Sequence, residues 1–211
     1  MSKELEKRAY TVELRAEQKE DNSNVVVVTG RPIVYDSKTD LGEFYEIIAP
    51  GALDGANLKD VRFLVNHDVS MIPLARSRNN NENSTMQLKP VKEGLDMRVN
   101  LDAENSVSKN LISAIDRGDV SGMSFMFSIG NEEWADLDTD KPTRTITQIK
   151  DVIEVSAVTF PAYEDTEIHL RNKAALDNAR AALDSAKAKQ QASLDNELAL
   201  AKEKMKLIGV I

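Results

Sequence analysis

Gly118-Asp119-Val120-Ser121-Gly122-Met123-Ser124-Phe125-Met126-Phe127 is the stretch on which the reading of this chain turns. A glycine stop precedes a tight turn, and a run that alternates like a strand follows it. Met123, Phe125, Phe127 and Ile129 share one face; Ser124, Met126 and Ser128 share the other. The apolar row needs a core beneath it. Ser124 therefore lies on the opposite face, near the start of the strand, where a hydroxyl can meet a substrate. It reads as a nucleophile, and Ser121, within the turn, as a turn former.

Working upstream, residues 102–117 change period. Val107, Leu111, Ala114 and Ile115 follow helical spacing, Asp102 or Ser106 caps the start, and Gly118 stands where a left-handed C-cap belongs. Before this helix the pattern is extended. Residues 8–15 alternate, and residues 25–29 form a continuous β-branched run. Gly30-Arg31-Pro32 breaks or bulges that run. Phe44-Tyr45-Glu46-Ile47-Ile48 leads into a turn at Pro50 that opens a short helix. Residues 61–67 alternate, with Phe63, Val65 and His67 on one face. Residues 85–90 and 95–101 read as paired strands.

Downstream, residues 132–143 read as an acidic loop around Trp134. Residues 145–149 and 152–160 read as two strands, the second ended by Pro161-Ala162-Tyr163. From Asn172 the material changes. Leu176, Ala179, Leu183, Ala186, Gln190, Leu194 and Leu198 recur every three or four residues, in a stretch without proline. The expected architecture is α+β and mainly β: a barrel-like domain over residues 1–171 and a long amphipathic helix over residues 172–211.

The 211 residues suffice for one well-buried domain with an appendage. A net charge of −8 argues against a nucleic-acid partner, whose phosphates call for a basic surface. The absence of cysteine removes disulfides, thiolate nucleophiles and zinc–thiolate sites. The charged start, Met1-Ser2-Lys3-Glu4, lacks the apolar segment of a signal peptide, and no apolar run is long enough to span a bilayer. No cofactor or metal is expected. Asp136, Asp138 and Asp140 mimic part of a calcium loop, but Pro142 interrupts it.

A serine hydroxyl needs a base to take its proton, and histidine is tuned for that near neutral pH. His67 is one of two histidines. It closes a strand, and Asn66 and Asp68 flank it. His169, among Glu167, Arg171 and Lys173, is the alternative base and reads as a surface residue. A third group would hold the imidazole tautomer. Glu154 stands inside the apolar run Val152-Ile153-Glu154-Val155-Ser156-Ala157-Val158 and so needs a partner, either an arginine or His67. It ranks above Asp68 and Asp151. Backbone N–H groups, helped by Arg76 or Arg144, would serve an oxyanion.

Four stretches in order carry a resemblance: Gly30-Arg31-Pro32-Ile33-Val34-Tyr35 with Glu46-Ile47-Ile48-Ala49-Pro50-Gly51-Ala52; Val65-Asn66-His67-Asp68; Gly118 to Phe125; and Glu154-Val155-Ser156-Ala157-Val158-Thr159-Phe160-Pro161-Ala162-Tyr163. Together, over roughly residues 8–171, they resemble the prohead maturation serine proteases of tailed bacteriophages. The resemblance implies a fold like the herpesvirus assemblin proteases, a seven-stranded barrel with helices around it. It implies an endopeptidase acting in the host cytoplasm inside the immature capsid, on scaffold, on the scaffold-like segment of the capsid protein, and on itself. By motif position it assigns the base to His67, the nucleophile to Ser124 and the acidic member to Glu154. The herpesvirus relatives use a second histidine as third member. Met126 stands where the family often carries glycine. The competing class is a non-enzymatic scaffold or assembly protein acting through its C-terminal helix.

Overall fold

The computed structural model describes residues 5–11, 14–18, 24–79, 83–160 and 166–207. The elements follow in the order β1 (Glu6–Thr11), β2 (Arg15–Gln18), β3 (Val25–Val34), β4 (Thr39–Asp40), β5 (Tyr45–Ile48), β6 (Asp60–Val65), β7 (Ala75–Arg78), β8 (Met86–Val91) and β9 (Gly94–Asp102). Then come α1 (Ser106–Asp116), β10 (Gly122–Ala135), β11 (Thr143–Val158) and α2 (Thr166–Leu207). The fold is α+β and mainly β. No helix among the described residues is long and apolar enough to cross a membrane.

The strands form two sheets. One, of seven strands, runs β1-β10-β11-β5-β4, with β6 also on β11 and β7 on β6; the other, of four, runs β2-β3-β9-β8. Each presents its period-2 apolar row inward. Val28, Leu88, Leu95, Met97, Val99 and Leu101 from the small sheet meet Met123, Phe125, Phe127, Ile146 and Val155 from the large one in a single core. Leu111 and Ile115 of α1 join it.

The barrel, expected closed or partly open, is not closed in this pairing, because the described strands do not hydrogen-bond into one ring. Where β7 and β8 would close it, side chains intervene. Arg76 N–H donates to Thr85 Oγ1 (2.9 Å) and Arg78 N–H to Ser84 Oγ (2.8 Å).

Local expectations are narrowed or corrected. Gly30-Arg31-Pro32 bulges β3 without ending it: the register passes from Gly30–Met97 to Ile33–Leu95, one extra residue on β3. β10 extends to Ala135, so Glu132 and Trp134 lie in strand. Trp134 sets its edge on Phe44 at 4.9 Å and Glu132 takes Arg144, contacts invisible to a periodicity argument. The two expected strands after residue 143 are one, β11, whose irregularities are absorbed as register shifts against β10. The residues after Pro50 form successive turns, Ala52 N–H to Ala49 O and Asp54 N–H to Gly51 O, and no helix. Asn105 caps α1, its Oδ1 accepting from Val107 N and Ser108 N, and Gly118 follows with φ +77° as expected. Pro161, Ala162 and Tyr163 lie outside the described residues.

The long helix α2 begins at Thr166, ahead of Asn172. Asn172 and Leu176 are buried on the body, and Arg180 donates to the carbonyls of Leu137 and Thr139 (3.2 and 2.9 Å). Beyond that point the helix is almost entirely exposed.

Candidate active site

Three strands of the large sheet bring the site together. Ser124 of β10 is the registered partner of Ser156 of β11, and Ser156 that of Leu64 of β6. Glu154 lies two residues from Ser156 and so shares its face. Ser124 is therefore directly beside Ser156 and diagonal to Glu154, on the side of the sheet away from the core.

His67 reaches this face from the end of β6. That strand stops at Val65, so His67 does not close it as the sequence suggested; it sits in the turn beyond. Asn66 and His67 have φ of 51° and 58°, and Asp68 N–H returns to Val65 O at 3.1 Å. Two left-handed residues in succession are uncommon, and asparagine and histidine are among the types that tolerate the conformation. β11 holds the turn along its length. Asn66 N–H donates to Ala157 O (2.9 Å), Thr159 N–H to Asn66 Oδ1 (3.0 Å), and His67 N–H to Ser156 Oγ (3.2 Å).

The imidazole Nδ1 meets Glu154 Oε1 in a short contact. Of the two partners open to Glu154, histidine is the one found. The second oxygen, Oε2, accepts from Ser156 Oγ at 2.6 Å. Glu154 is 2% exposed, so both of its oxygens need these partners. The histidine side chain is 17% exposed, and its Nε2 has no partner among the described residues. With Nδ1–H held by the carboxylate, Nε2 is left as the acceptor.

Ser124 is 1% exposed and its Oγ donates to the main-chain carbonyl of Arg8 at 2.8 Å. It thus lies on the expected face but beneath cover, with its proton turned to β1 and not to His67.

The remaining candidates are engaged elsewhere. Asp68 caps its own loop through Ser70 N–H and Oγ (2.9 and 2.5 Å), which hold its carboxyl below the usual range. Asp151 takes Ser128 Oγ (2.9 Å) and Asn57 Nδ2 (3.0 Å). Arg76 is paired with Asp60 (2.5 Å). Arg144 lies in a buried ion cluster with Glu132, Glu6 and Glu46. The side chain of His169 falls outside the described residues.

That ion cluster lies on the other face of β1, the side of Phe125 and Phe127. The Arg8 guanidinium grips Glu46 at both oxygens and Glu6 at 3.0 Å. Burial alone would lower its pKa, and the Glu46 carboxylate more than reverses this. Tyr10, on the same strand, is pushed up to about 12 by burial and by Glu46. The side chain of Arg8 thereby fixes β1, and its carbonyl receives Ser124. Sequence reasoning missed both Arg8 and Ser156. Ser156 carried a signal, a hydroxyl two residues from a buried carboxylate; Arg8 carried none, since the carboxylate it grips at both oxygens, Glu46, is 38 residues away.

Comparison with known proteins gives a family for the chain. A family model described as caudovirus prohead serine protease matches residues 11–180. No curated protein matches the sequence. Among solved structures, that of the bacteriophage T4 capsid assembly protease gp21 is similar over 74% of this chain and 99% of its own, at 11% identity and a TM-score of 0.39.

Proposed function

The chain belongs to the caudovirus prohead serine protease family and is a serine peptidase, and on that premise we propose that Ser124, His67 and Glu154 carry out its peptide hydrolysis. One observation supports this above the others: a buried carboxylate, Glu154, is paired with the imidazole of His67 on the sheet face that also bears Ser124. The pairing gives the imidazole a defined tautomer, with the acceptor nitrogen outward.

In the reaction, Ser124 Oγ turns from Arg8 O toward His67 Nε2. It attacks the scissile carbonyl carbon as Nε2 takes its proton, and Glu154 stabilises the imidazolium that forms. The proton passes to the leaving amine as the C–N bond breaks. Water, deprotonated by the same nitrogen, then attacks the acyl-enzyme, and the carboxylic acid departs from Ser124. Ordering of Ser124 toward His67 accompanies substrate binding, since catalytic hydrogen bonds often tighten only then.

The substrates we assign are scaffold, the scaffold-like segment of the capsid protein, and the chain itself, cleaved inside the immature capsid. The exposed part of α2 is assigned to partner contact or self-association. We also read the two sheets, bridged at Ser84 and Thr85, as a partly open barrel of the herpesvirus assemblin kind.

A fluorophosphonate probe tests the chemistry without a known substrate, because an activated serine displaces its fluoride. The expected result is a single adduct at Ser124 by mass spectrometry. Ser124→Ala abolishes it and His67→Ala slows it by about a thousandfold or more. An adduct on another serine, or equal labelling of the His67→Ala variant, refutes the assignment.

A further inference from the structure

Ser156 is the residue at this site that the three-member reading leaves unused. Its hydroxyl is fully buried and makes two directed contacts. It donates to Glu154 Oε2 at 2.6 Å and accepts the His67 main-chain N–H at 3.2 Å. A hydroxyl has one proton to give, so the proton of Ser156 is committed to the carboxylate. It faces the amide of His67 and not the ring. Ser156 is therefore ill-placed as a nucleophile, although it is the registered neighbour of Ser124.

Its placement has a different use. The His67 amide lies in a turn with both central residues left-handed, where that N–H has no strand partner of its own. A buried amide without a partner is costly. Through Ser156 the amide is tied to the same carboxylate that holds the ring. Glu154 thus grips His67 twice, the imidazole directly by Oε1 and the backbone through Ser156 by Oε2. Neither contact alone fixes the ring. Nδ1 to Oε1 leaves the carboxylate free to pivot, and the amide contact leaves the side chain free to turn.

Resting on the assignment of Ser124, His67 and Glu154 above, we propose that Ser156 is a positioning residue: its hydroxyl completes a double clamp that aims His67 Nε2 at Ser124. It acts through Glu154 and His67 and touches no substrate. Ser156→Ala removes the clamp and keeps both partners. Ser156→Thr keeps the hydroxyl on a residue suited to a strand.

The experiment is fluorophosphonate labelling of Ser124 as a function of probe concentration, together with the downfield proton spectrum of the imidazole N–H held by a carboxylate. Ser156→Ala is expected to lower the maximal labelling rate by about tenfold to a hundredfold, the loss of one hydrogen bond to a charged group. The half-saturating probe concentration stays within about twofold, and the downfield His67 resonance shifts or broadens away. Ser156→Thr restores both rate and resonance. A purely structural role would lower thermal stability and leave rate and resonance intact in the folded protein, which overturns the proposal. A threonine variant that folds and stays as slow as alanine also overturns it. If the wild-type chain does not label at Ser124, the functional assignment fails, and the response of the resonance to the two variants then decides the clamp by itself.

Discussion

At the scale of single residues, Glu154 is the test of whether the buried pair does chemistry or only satisfies a strand. A glutamine there preserves shape and removes charge. It still offers an oxygen to one neighbour, but its amide nitrogen donates, so it cannot accept from both Ser156 and His67 Nδ1. Glu154→Gln should slow Ser124 labelling by about three to four orders of magnitude, the loss that follows when the imidazole is left in the wrong tautomer. A rate within tenfold of wild type, in a variant that melts normally, would reduce Glu154 to a structural role. The sequence singled out the three residues of the proposal for physical reasons. A carboxylate in an apolar run demands a partner, a histidine read at a strand end is presented to solvent, and a serine opposite an apolar row faces outward. It did not make legible that Ser124 is covered, because the cover is the carbonyl of Arg8, 116 residues away.

Among the elements, β1 is short, six residues, and has a large consequence. It is an edge strand held by ionised groups: Glu6 and Arg8 lie beside Glu46 and Arg144 with almost no exposure. Burial pushes the Glu6 carboxyl up, but Arg8 and Arg144 override it and hold the pKa below its ordinary 4.5. A depressed carboxylate stabilises the fold at pH above its unfolded value, and that stabilisation is lost as pH falls through the lower folded value. Urea denaturation should therefore find Glu6→Gln less stable than wild type at about pH 6.5, with the gap narrowing steadily below about pH 4.5. A gap that is constant down to about pH 3 would mean that Glu6 contributes packing and not charge. Nothing in the sequence pointed to this cluster. Glu6 and Lys7 read only as part of a charged start and Arg8 as the first residue of an alternating strand, and only the topology, which sets β1 beside β10 with β5 two strands further on, gives Glu6 and Arg8 their partners. The same long-range pairing explains the strand ends that were misjudged. Glu132 and Trp134 look like loop residues until Arg144 and Phe44 arrive beside them.

For the molecule as a whole, the question is where the body stops and the helix becomes an arm. α2 has 42 residues, about 63 Å of helix. Among the described residues its early turns are the part held on the body: Asn172 and Leu176 are buried, and Arg180 caps the carbonyls of Leu137 and Thr139. Past Arg180 the leucines at 194, 198 and 200 are more than half exposed, so they add nothing to the core of a single chain. A lone helix of that composition is marginal in water, and its unfolding should be separate from that of the sheets. The two halves of α2 are then expected to behave oppositely. Leu176→Ala, at 3% exposure, should cost the body about 2–5 kcal/mol in urea denaturation. A chain ended after Arg180 should lose helical signal, keep the body's denaturation midpoint, and label Ser124 at the wild-type rate. If the shortened chain also loses body stability or labelling, the outer helix folds back on the site or joins a second copy to complete it. Sedimentation of the full and shortened chains would then separate those two cases, since only the second changes mass.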